Sequence, residues 1–200
     1  MSTTLLAGAL SVLLAIVTYA LNRYATLQFA RRQARLDRVN RQLTELYGPL
    51  LSIFSVSKIS IHSLRSKLRP GQAKYFRGGV EPLSDSEYAR WRLWLLHVFG
   101  PGNRHARDLI YDKADLLIDQ EIPPCLLAWC AQTQEYEVIF KQWEDGDYSE
   151  PDATREFSEF ASELEDYLEH SYRALKAQQN ELLRSTSPQL RFMRRAITTT

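Results

Sequence analysis

The chain has 200 residues, of which 44% are hydrophobic and 24% charged, with eight glycines and eight prolines. This composition excludes fibrous and low-complexity proteins and suits one domain of ordinary size plus an anchor. The net charge of +1 hides an asymmetry, because residues 1–80 hold twelve basic and two acidic residues, whereas residues 81–200 hold thirteen basic and twenty-two acidic ones. The acidic half would repel the phosphates of nucleic acid, so we predict no nucleic-acid partner.

The first 22 residues carry no charge and are rich in leucine, valine and isoleucine. As a helix, the nineteen residues of 4–22 would span ~28 Å, close to the ~30 Å hydrocarbon core of a bilayer. A cleaved signal peptide is the alternative, but it needs a basic start, and the first residues are Met-Ser-Thr-Thr. We predict a single transmembrane anchor over 1–22, with the N-terminus outside and the C-terminal domain cytoplasmic, because arginines follow the segment.

Residues 23–47 are predicted to continue the anchor as a basic juxtamembrane helix. Arg31, Arg35 and Arg38 are spaced i, i+4 and i+7, and Arg32 precedes Arg35 by three residues. Long arginine side chains can reach the phosphates of an anionic leaflet from such positions. We therefore predict that these four residues contact anionic lipid headgroups, the alternative being that they only set the topology during insertion.

Small residues recur within the anchor, among them Gly8, Ser11 and Ala15. Such a stripe would let two membrane helices approach closely, so a homodimer formed through the anchor is one interpretation. Small residues are equally common in membrane helices that do not associate, and we favour this second interpretation.

The rest of the chain predicts an all-α fold, with a soluble bundle of about five helices over 48–184 and a flexible tail over 185–200. No apolar alternation of period two extends beyond a few residues, which argues against a sheet. Ser84 and Glu87 match a capping box at the start of one helix, and Asn103 is expected to cap another. The predicted helices cover about 50–67, 84–99, 104–119, 123–143 and a last segment that follows a cap at 149–152 and ends near 184.

An apolar stripe at heptad spacing runs from Leu36 to Ile53. It is typical of a short coiled coil or of a helix that packs on its own bundle, and we favour the bundle. Pro49 removes one helical hydrogen bond, so Gly48–Pro49 is predicted to kink or to break this helix. Gly100–Pro101–Gly102 is predicted to end the helix that begins at Ser84.

No pattern predicts a catalytic, cofactor-binding or metal site, and we expect a protein that is not an enzyme. Asp108, Asp112, Asp115 and Asp119 share one face of a predicted helix, which is typical of a solvated surface, although a cation stripe would have the same spacing. The four histidines match no metal or triad spacing, and His97 is expected to be buried or half-buried.

Two cysteines and four tryptophans are interpreted as structural. Cys125 and Cys130 are predicted to be free core thiols, since their spacing fits neither a metal site nor a disulfide framework. The tryptophans stand at helical spacing beside other apolar residues and are expected in the core. The stretch 135–169 holds thirteen acidic residues against two basic ones, which predicts either a docking face for a basic protein partner or a solubilising surface.

Two segments carry a resemblance to a known group: RVNRQLTELYGPL at 38–50 and YRALKAQQNELL at 172–183. The chain resembles small, N-terminally membrane-anchored helical proteins that share a QLxxLYGPL segment and have no assigned activity. The resemblance implies anchoring and a helical fold. We predict a non-enzymatic, membrane-tethered interaction module of unknown specific role. The alternative is a membrane effector that oligomerises through its anchor, as a pore or defence component does.

Overall fold

The structure is a computed structural model that describes the backbone over residues 2–68, 84–149 and 159–197, and the side chains of residues 8, 10–67, 84–149 and 162–184. Its regular elements in these ranges are all helical and no strand occurs there, which confirms the predicted all-α class. The elements are α1 (Ser2–Arg41), a first π-helical segment (Gln42–Tyr47), α2 (Gly48–Leu68), α3 (Asp85–Trp94), a second π-helical segment (Leu95–Phe99), α4 (Gly100–Asp112), a 3-10 turn (Ala114–Leu116), α5 (Pro124–Glu144) and α6 (Glu159–Ile197).

The chain divides into two compact units, with boundaries between Asn40 and Arg41 and between Ala177 and Gln178. The first unit holds α1 up to Asn40 and α6 from Gln178 onward. The second unit holds everything between. The first π-helical segment, which the sequence pattern assigns to the juxtamembrane helix, therefore belongs to the second unit.

Gly48–Pro49 does not interrupt the helix, because a π-helical segment accommodates it. The Gly48 N–H bonds to the carbonyl of Leu43, five residues back, so the turn is one residue wider than in an α-helix. A wider turn accommodates the proline, which lacks an N–H and whose ring would clash in a regular α-helix. Glycine is required beside it, since a Cβ at position 48 would lie 2.4 Å from the oxygen of Leu43. The apolar stripe therefore stays on one side of the helix across Gly48–Pro49, and Leu43, Leu46 and Leu50 are all buried.

A second π-helical segment precedes Gly100–Pro101, and the helix end predicted there is wrong. The Gly100 N–H bonds to the carbonyl of Leu95, again five residues back, and α4 follows directly. A Cβ at Gly100 would lie 2.8 Å from both the Leu95 oxygen and Cε2 of Phe140. Asn103 is consequently a buried residue inside α4 and not its cap.

Of the other predicted helix ends, some are confirmed and others are wrong. The Ser84–Glu87 capping box is present, with the Ser84 N–H donating to Glu87 Oε2 at 2.8 Å. The start of α5 after Pro123 is confirmed, whereas α4 ends at Asp112 and not near residue 119. Ser149, the first residue of the predicted cap at 149–152, is the last described residue after α5, and residues 150–152 lie outside the described residues.

The last helix is longer than predicted. The sequence predicts a flexible tail after residue 184, but the backbone of α6 is helical to Ile197. Good helix formers such as leucine, arginine, methionine and alanine predominate after Pro188, and they favour continuation over a loop.

An aromatic cluster forms much of the core of the second unit. Trp91 lies 5.9 Å from Phe99, and Phe140 lies 5.7 Å from Trp143, measured between ring centroids. These separations fall within the range favoured by aromatic pairs. The buried members of the cluster are Leu64, Trp91, Leu95, Phe99, Tyr136, Phe140 and Trp143. Three of the four tryptophans are buried and Trp94 is half-buried, which confirms their predicted place in the core.

Candidate membrane-contact surface

The apolar part of α1 is covered by no other part of the described chain. Its large hydrophobic side chains from Leu10 to Phe29 are 45–71% exposed. A helix that is apolar on all sides is normally buried in a protein core or in lipid, and no core surrounds this one. By length and composition it is a helix able to cross a membrane, and none of the residues of its apolar window is buried.

Two threonine hydroxyls within this helix are bonded to its own backbone. The Thr18 hydroxyl donates to the carbonyl of Leu14 at 2.8 Å, and the Thr26 hydroxyl donates to the carbonyl of Asn22 at 2.8 Å. A hydroxyl that is satisfied in this way costs little to transfer into a medium without water. The two threonines therefore do not oppose burial of α1 in lipid.

Exposed apolar residues continue past the predicted end of the anchor at residue 22. Tyr24, Leu27 and Phe29 are 64%, 45% and 53% exposed, and Arg23 is the only charged residue between 2 and 30. Tyrosine beside arginine is typical of the interface between hydrocarbon and water. The sequence prediction missed this extension because it ended the anchor at the first arginine.

The four predicted lipid-contacting arginines all lie on α1. Arg31, Arg35 and Arg38 are exposed, and Arg32 is half-buried. Arg32 and Arg38 take part in interactions within the chain. The helix therefore brings the three exposed guanidinium groups to one side, directly after the apolar surface ends.

Gly8, Ser11 and Ala15, the predicted anchor interface, are exposed on the same helix. The space beside Gly8 is open: apart from the adjoining residues and the backbone of its own helix, nothing lies within 4 Å of a Cβ placed there. No described part of the chain covers the stripe.

The QLTELYGPL segment has a structural role in the second unit. Buried Gln42 donates from Nε2 to the carbonyl of Leu116 at 2.9 Å. Glu45 accepts from Lys113 Nζ at 2.9 Å and from Arg41 Nε at 3.1 Å, and these bonds lower its pKa. The π-helical segment thereby contacts the 3-10 turn that follows α4 and the lysine that precedes that turn.

A chain of three hydroxyl and carboxyl groups completes this contact. Tyr167 donates to Asp119 Oδ2 at 2.8 Å, because a carboxylate only accepts. Its oxygen lies 2.9 Å from that of Tyr47, so Tyr47 must donate to Tyr167. Tyr47 in turn accepts from the backbone N–H of Ile118 at 3.1 Å, and burial raises the pKa of both tyrosines. We call Tyr47, Tyr167 and Asp119 the tyrosine network. Every donor in this network has an acceptor, so its role is to stabilise the contact between the elements that carry these residues.

The predicted aspartate face is only partly correct. Asp108, Asp112, Asp115 and Asp119 are all exposed, as a solvated surface requires. However, they do not share one helix face, because α4 ends at Asp112 and Asp115 lies in the 3-10 turn. Among the residues whose side chains are described, no group of three or more metal-ligating residues comes together.

The two cysteines are free thiols of the core, as predicted, whereas the predicted burial of His97 is wrong. Cys130 is buried and Cys125 half-buried, both are free thiols, and burial raises the pKa of each. A raised pKa keeps a thiol protonated and slow to react. His97 is exposed, contrary to the prediction, since the wider π-helical turn places Leu95 and Phe99 in the core and leaves His97 outside.

The acidic stretch presents exposed carboxylates on α5 and α6. Glu135, Glu163 and Asp166 are exposed, whereas Glu137 is paired with Arg104 at 3.1 Å and Glu165 with Lys58. Part of the acidic charge is therefore neutralised within the domain, and part faces solvent. Residues 150–158 of this stretch lie outside the described chain.

Comparison of the chain with protein-family models, with curated proteins and with solved structures found no match.

Proposed function

We propose that this protein is a membrane-tethered helical interaction module, held by α1 in the bilayer and without catalytic activity of its own. The observation that carries the proposal is the exposed apolar surface of α1 from Leu10 to Phe29. At ~25 cal/mol per Å², leaving so many large apolar side chains in water is strongly unfavourable, and a bilayer removes that cost. The resemblance to small anchored proteins with a QLxxLYGPL segment supports the same assignment.

The charges beside the anchor support an orientation with the N-terminus outside and the C-terminal domain in the cytoplasm. Arg31, Arg35 and Arg38 follow the apolar surface directly, and a cytoplasmic flank is enriched in arginine and lysine. A signal peptide would instead carry its basic residues before the apolar segment. A reporter fused at the C-terminus is expected to be active only inside the cell, and activity outside would refute the orientation.

Anchoring itself is tested with a single charge in the middle of the apolar surface. Leu14→Arg, at a residue that is 67% exposed, should release the full chain into the alkaline-carbonate supernatant, because arginine at a helix centre costs about 2.5–3.5 kcal/mol on insertion scales. Leu127→Arg is the matched control, since Leu127 is 50% exposed on α5 of the second unit. Equal extraction of both variants and the parent chain would refute membrane anchoring by α1.

The arginines are tested on a chain that begins at Arg23 and lacks the anchor. It is expected to bind anionic vesicles more tightly than neutral ones, in a salt-sensitive manner. Each arginine at an anionic leaflet contributes on the order of 1 kcal/mol, so changing Arg31, Arg32, Arg35 and Arg38 to glutamine should weaken binding in proportion. Equal binding to both vesicle types would leave these residues only a role in topology.

The proposed partner contacts are the exposed acids Glu135 on α5 and Glu163 and Asp166 on α6, whose charge suits a basic protein. A triple change of these residues to lysine should abolish co-purification of a partner while leaving membrane extraction unchanged. A stoichiometric homo-oligomer in detergent that dissociates on Gly8→Leu would instead support the second candidate, an effector that oligomerises through the anchor. The open space beside Gly8 is the observation that favours this candidate.

A further inference from the structure

An exposed apolar stripe runs along α5 on the side opposite the core of the second unit. Leu127, Ala131 and Val138 are spaced i, i+4 and i+11, so they share one face of the helix, and we call them the α5 stripe. Leu127 is 50% exposed, Val138 is 62% exposed, and Ala131 is exposed as well. The buried residues of α5, among them Trp129 and Phe140, lie on the opposite face. At ~1.5 Å per residue the stripe is about 16 Å long, or roughly three helical turns.

Helix α4 borders the α5 stripe on one side. Gln134, which lies between Ala131 and Val138 on the exposed side of α5, donates from Nε2 to the hydroxyl of Tyr111 on α4 at 3.2 Å. Tyr111 is 52% exposed, so its ring adds apolar surface beside the stripe. The surface is therefore built from two helices whose side chains are bonded to each other.

The charges around the α5 stripe are predominantly acidic. Residues 104–145 hold nine acidic and four basic residues. All four basic side chains are already paired with carboxylates of the second unit: Arg104 with Glu137, Arg107 with Asp108, Lys113 with Glu45 and Lys141 with Asp145. The surplus charge is negative, and exposed Glu135 lies one turn after Ala131 at the edge of the stripe. Such a surface repels a second copy of itself, anionic lipid and nucleic acid, and it complements a basic partner.

We propose that the α5 stripe binds a basic amphipathic helix of a partner protein. The proposal rests on the proposed function as an interaction module, and it adds an apolar surface to one of the acidic contacts of that module, Glu135. A straight stripe of three turns matches the apolar face of another helix, whose side chains can pack between those of α5. Basic residues beside that apolar face would lie opposite Glu135 and the other acids of α4 and α5.

The test uses the full chain in nanodiscs of neutral phosphatidylcholine and a fluorescent probe peptide. The peptide has about eighteen residues, long enough to form a helix, with leucines spaced i, i+4 and i+11, lysines on both flanks and alanine elsewhere. Binding is followed by fluorescence anisotropy, and empty nanodiscs give the background from lipid. The parent chain should bind the peptide saturably and less tightly at higher salt. Peptides with alanine in place of the leucines, or with glutamate in place of the lysines, should not bind.

Two double variants locate the binding site. Changing Leu127 and Val138 together to lysine should weaken binding at least about tenfold, as expected for residues at the centre of an interface. Changing Val56 and Ile59 to lysine is the matched control, because it adds the same charge at exposed apolar positions of α2 in the same unit. These two residues are 62% and 69% exposed, and the control variant should lose far less affinity. Equal losses in the two variants, or no binding of the parent chain above the lipid background, would overturn the proposal.

Two further measurements separate the α5 stripe from the proposed function and from self-association. If a stripe variant still resists carbonate extraction and still co-purifies a partner, the interaction module stands and the α5 stripe is refuted as its site. If the peptide binds through the stripe but carbonate extracts the parent chain, membrane tethering fails and the stripe stands. A dimer in detergent that dissociates on changing Leu127 and Val138 would show that a second copy covers the stripe, which also overturns the proposal.

Discussion

Replacing Gly48 by alanine would test whether the π-helical segment before Pro49 is a required feature of the fold. The added Cβ would lie 2.4 Å from the carbonyl oxygen of Leu43, well inside the ~3.5–4.0 Å of a favourable contact. The clashing atom belongs to the backbone, which cannot move away as the end of a flexible side chain can. The same Leu43 oxygen also accepts the hydrogen bond from the Gly48 N–H. Overpacking of this kind costs about 1–3 kcal/mol.

Alanine also offers a gain that must be subtracted. In a helix interior alanine is favoured over glycine by about 1 kcal/mol. Because the clash is with backbone, we expect an overpacking cost in the upper half of the range of about 1–3 kcal/mol, which leaves a net loss of about 1–2 kcal/mol for Gly48→Ala. In a domain of this size, 1 kcal/mol corresponds to about 2–4 °C in Tm. The full chain in detergent should therefore melt about 2–8 °C lower, followed by far-UV circular dichroism.

Gly102 offers the matched control, because it lies in α4 after the other Gly–Pro pair. A Cβ there would meet Cγ2 of Ile53 at 3.5 Å, an ordinary contact. Gly102→Ala should be neutral or stabilise the protein by up to about 1 kcal/mol. If both alanine variants melt at the same temperature, or if Gly48→Ala stabilises the protein, the requirement for glycine at the π-helical segment is refuted.

Three further results are expected from the second unit. Leu164→Ala removes a side chain that is 0% exposed and should lower the free energy of unfolding by about 2–5 kcal/mol in denaturant titration. Tyr47→Phe leaves the Ile118 N–H without its acceptor and should cost about 1–3 kcal/mol, again by denaturant titration. Because burial raises the pKa of both thiols, alkylation of the folded protein should be slow at pH 8 and should accelerate only as the pH rises above the pKa of an ordinary thiol. Mass spectrometry should show that buried Cys130 reacts more slowly than half-buried Cys125.

Each of these has a control within the chain. Leu183→Ala changes a residue that is 49% exposed and should cost far less than Leu164→Ala; equal losses would contradict the burial of Leu164. Tyr148→Phe removes the hydroxyl of a residue that is 55% exposed and should be nearly neutral, so a comparable loss would argue against the tyrosine network. Both cysteines should react at one rate once the chain is unfolded, and equal rates in the folded chain would contradict their different burial.

The sequence by itself determined the helical class, the exposed apolar helix at the N-terminus and much of the core. These depend on local pattern: an uncharged run of residues, an apolar stripe at helical spacing, a capping box and aromatic residues beside leucine. Leu43, Leu46 and Leu50 are buried as their spacing predicts, and the Ser84 cap forms from residues only three apart. Each of these signals acts within a few turns of one helix, so no knowledge of distant residues is needed.

Tertiary structure decided what happens at the two Gly–Pro pairs, where local rules predict a kink, a break or a helix end. Gly48 and Gly100 each donate an N–H to a carbonyl five residues back, and the first of these widened turns is held by hydrogen bonds to residues distant in sequence. Gln42 reaches the carbonyl of Leu116 and Tyr47 reaches the N–H of Ile118, more than seventy residues away. Propensity acts on neighbours, whereas these bonds exist only once the helices have packed. The same reason explains why Asn103 is buried in a helix and not at its start, since its surroundings come from elements that the local sequence does not contain.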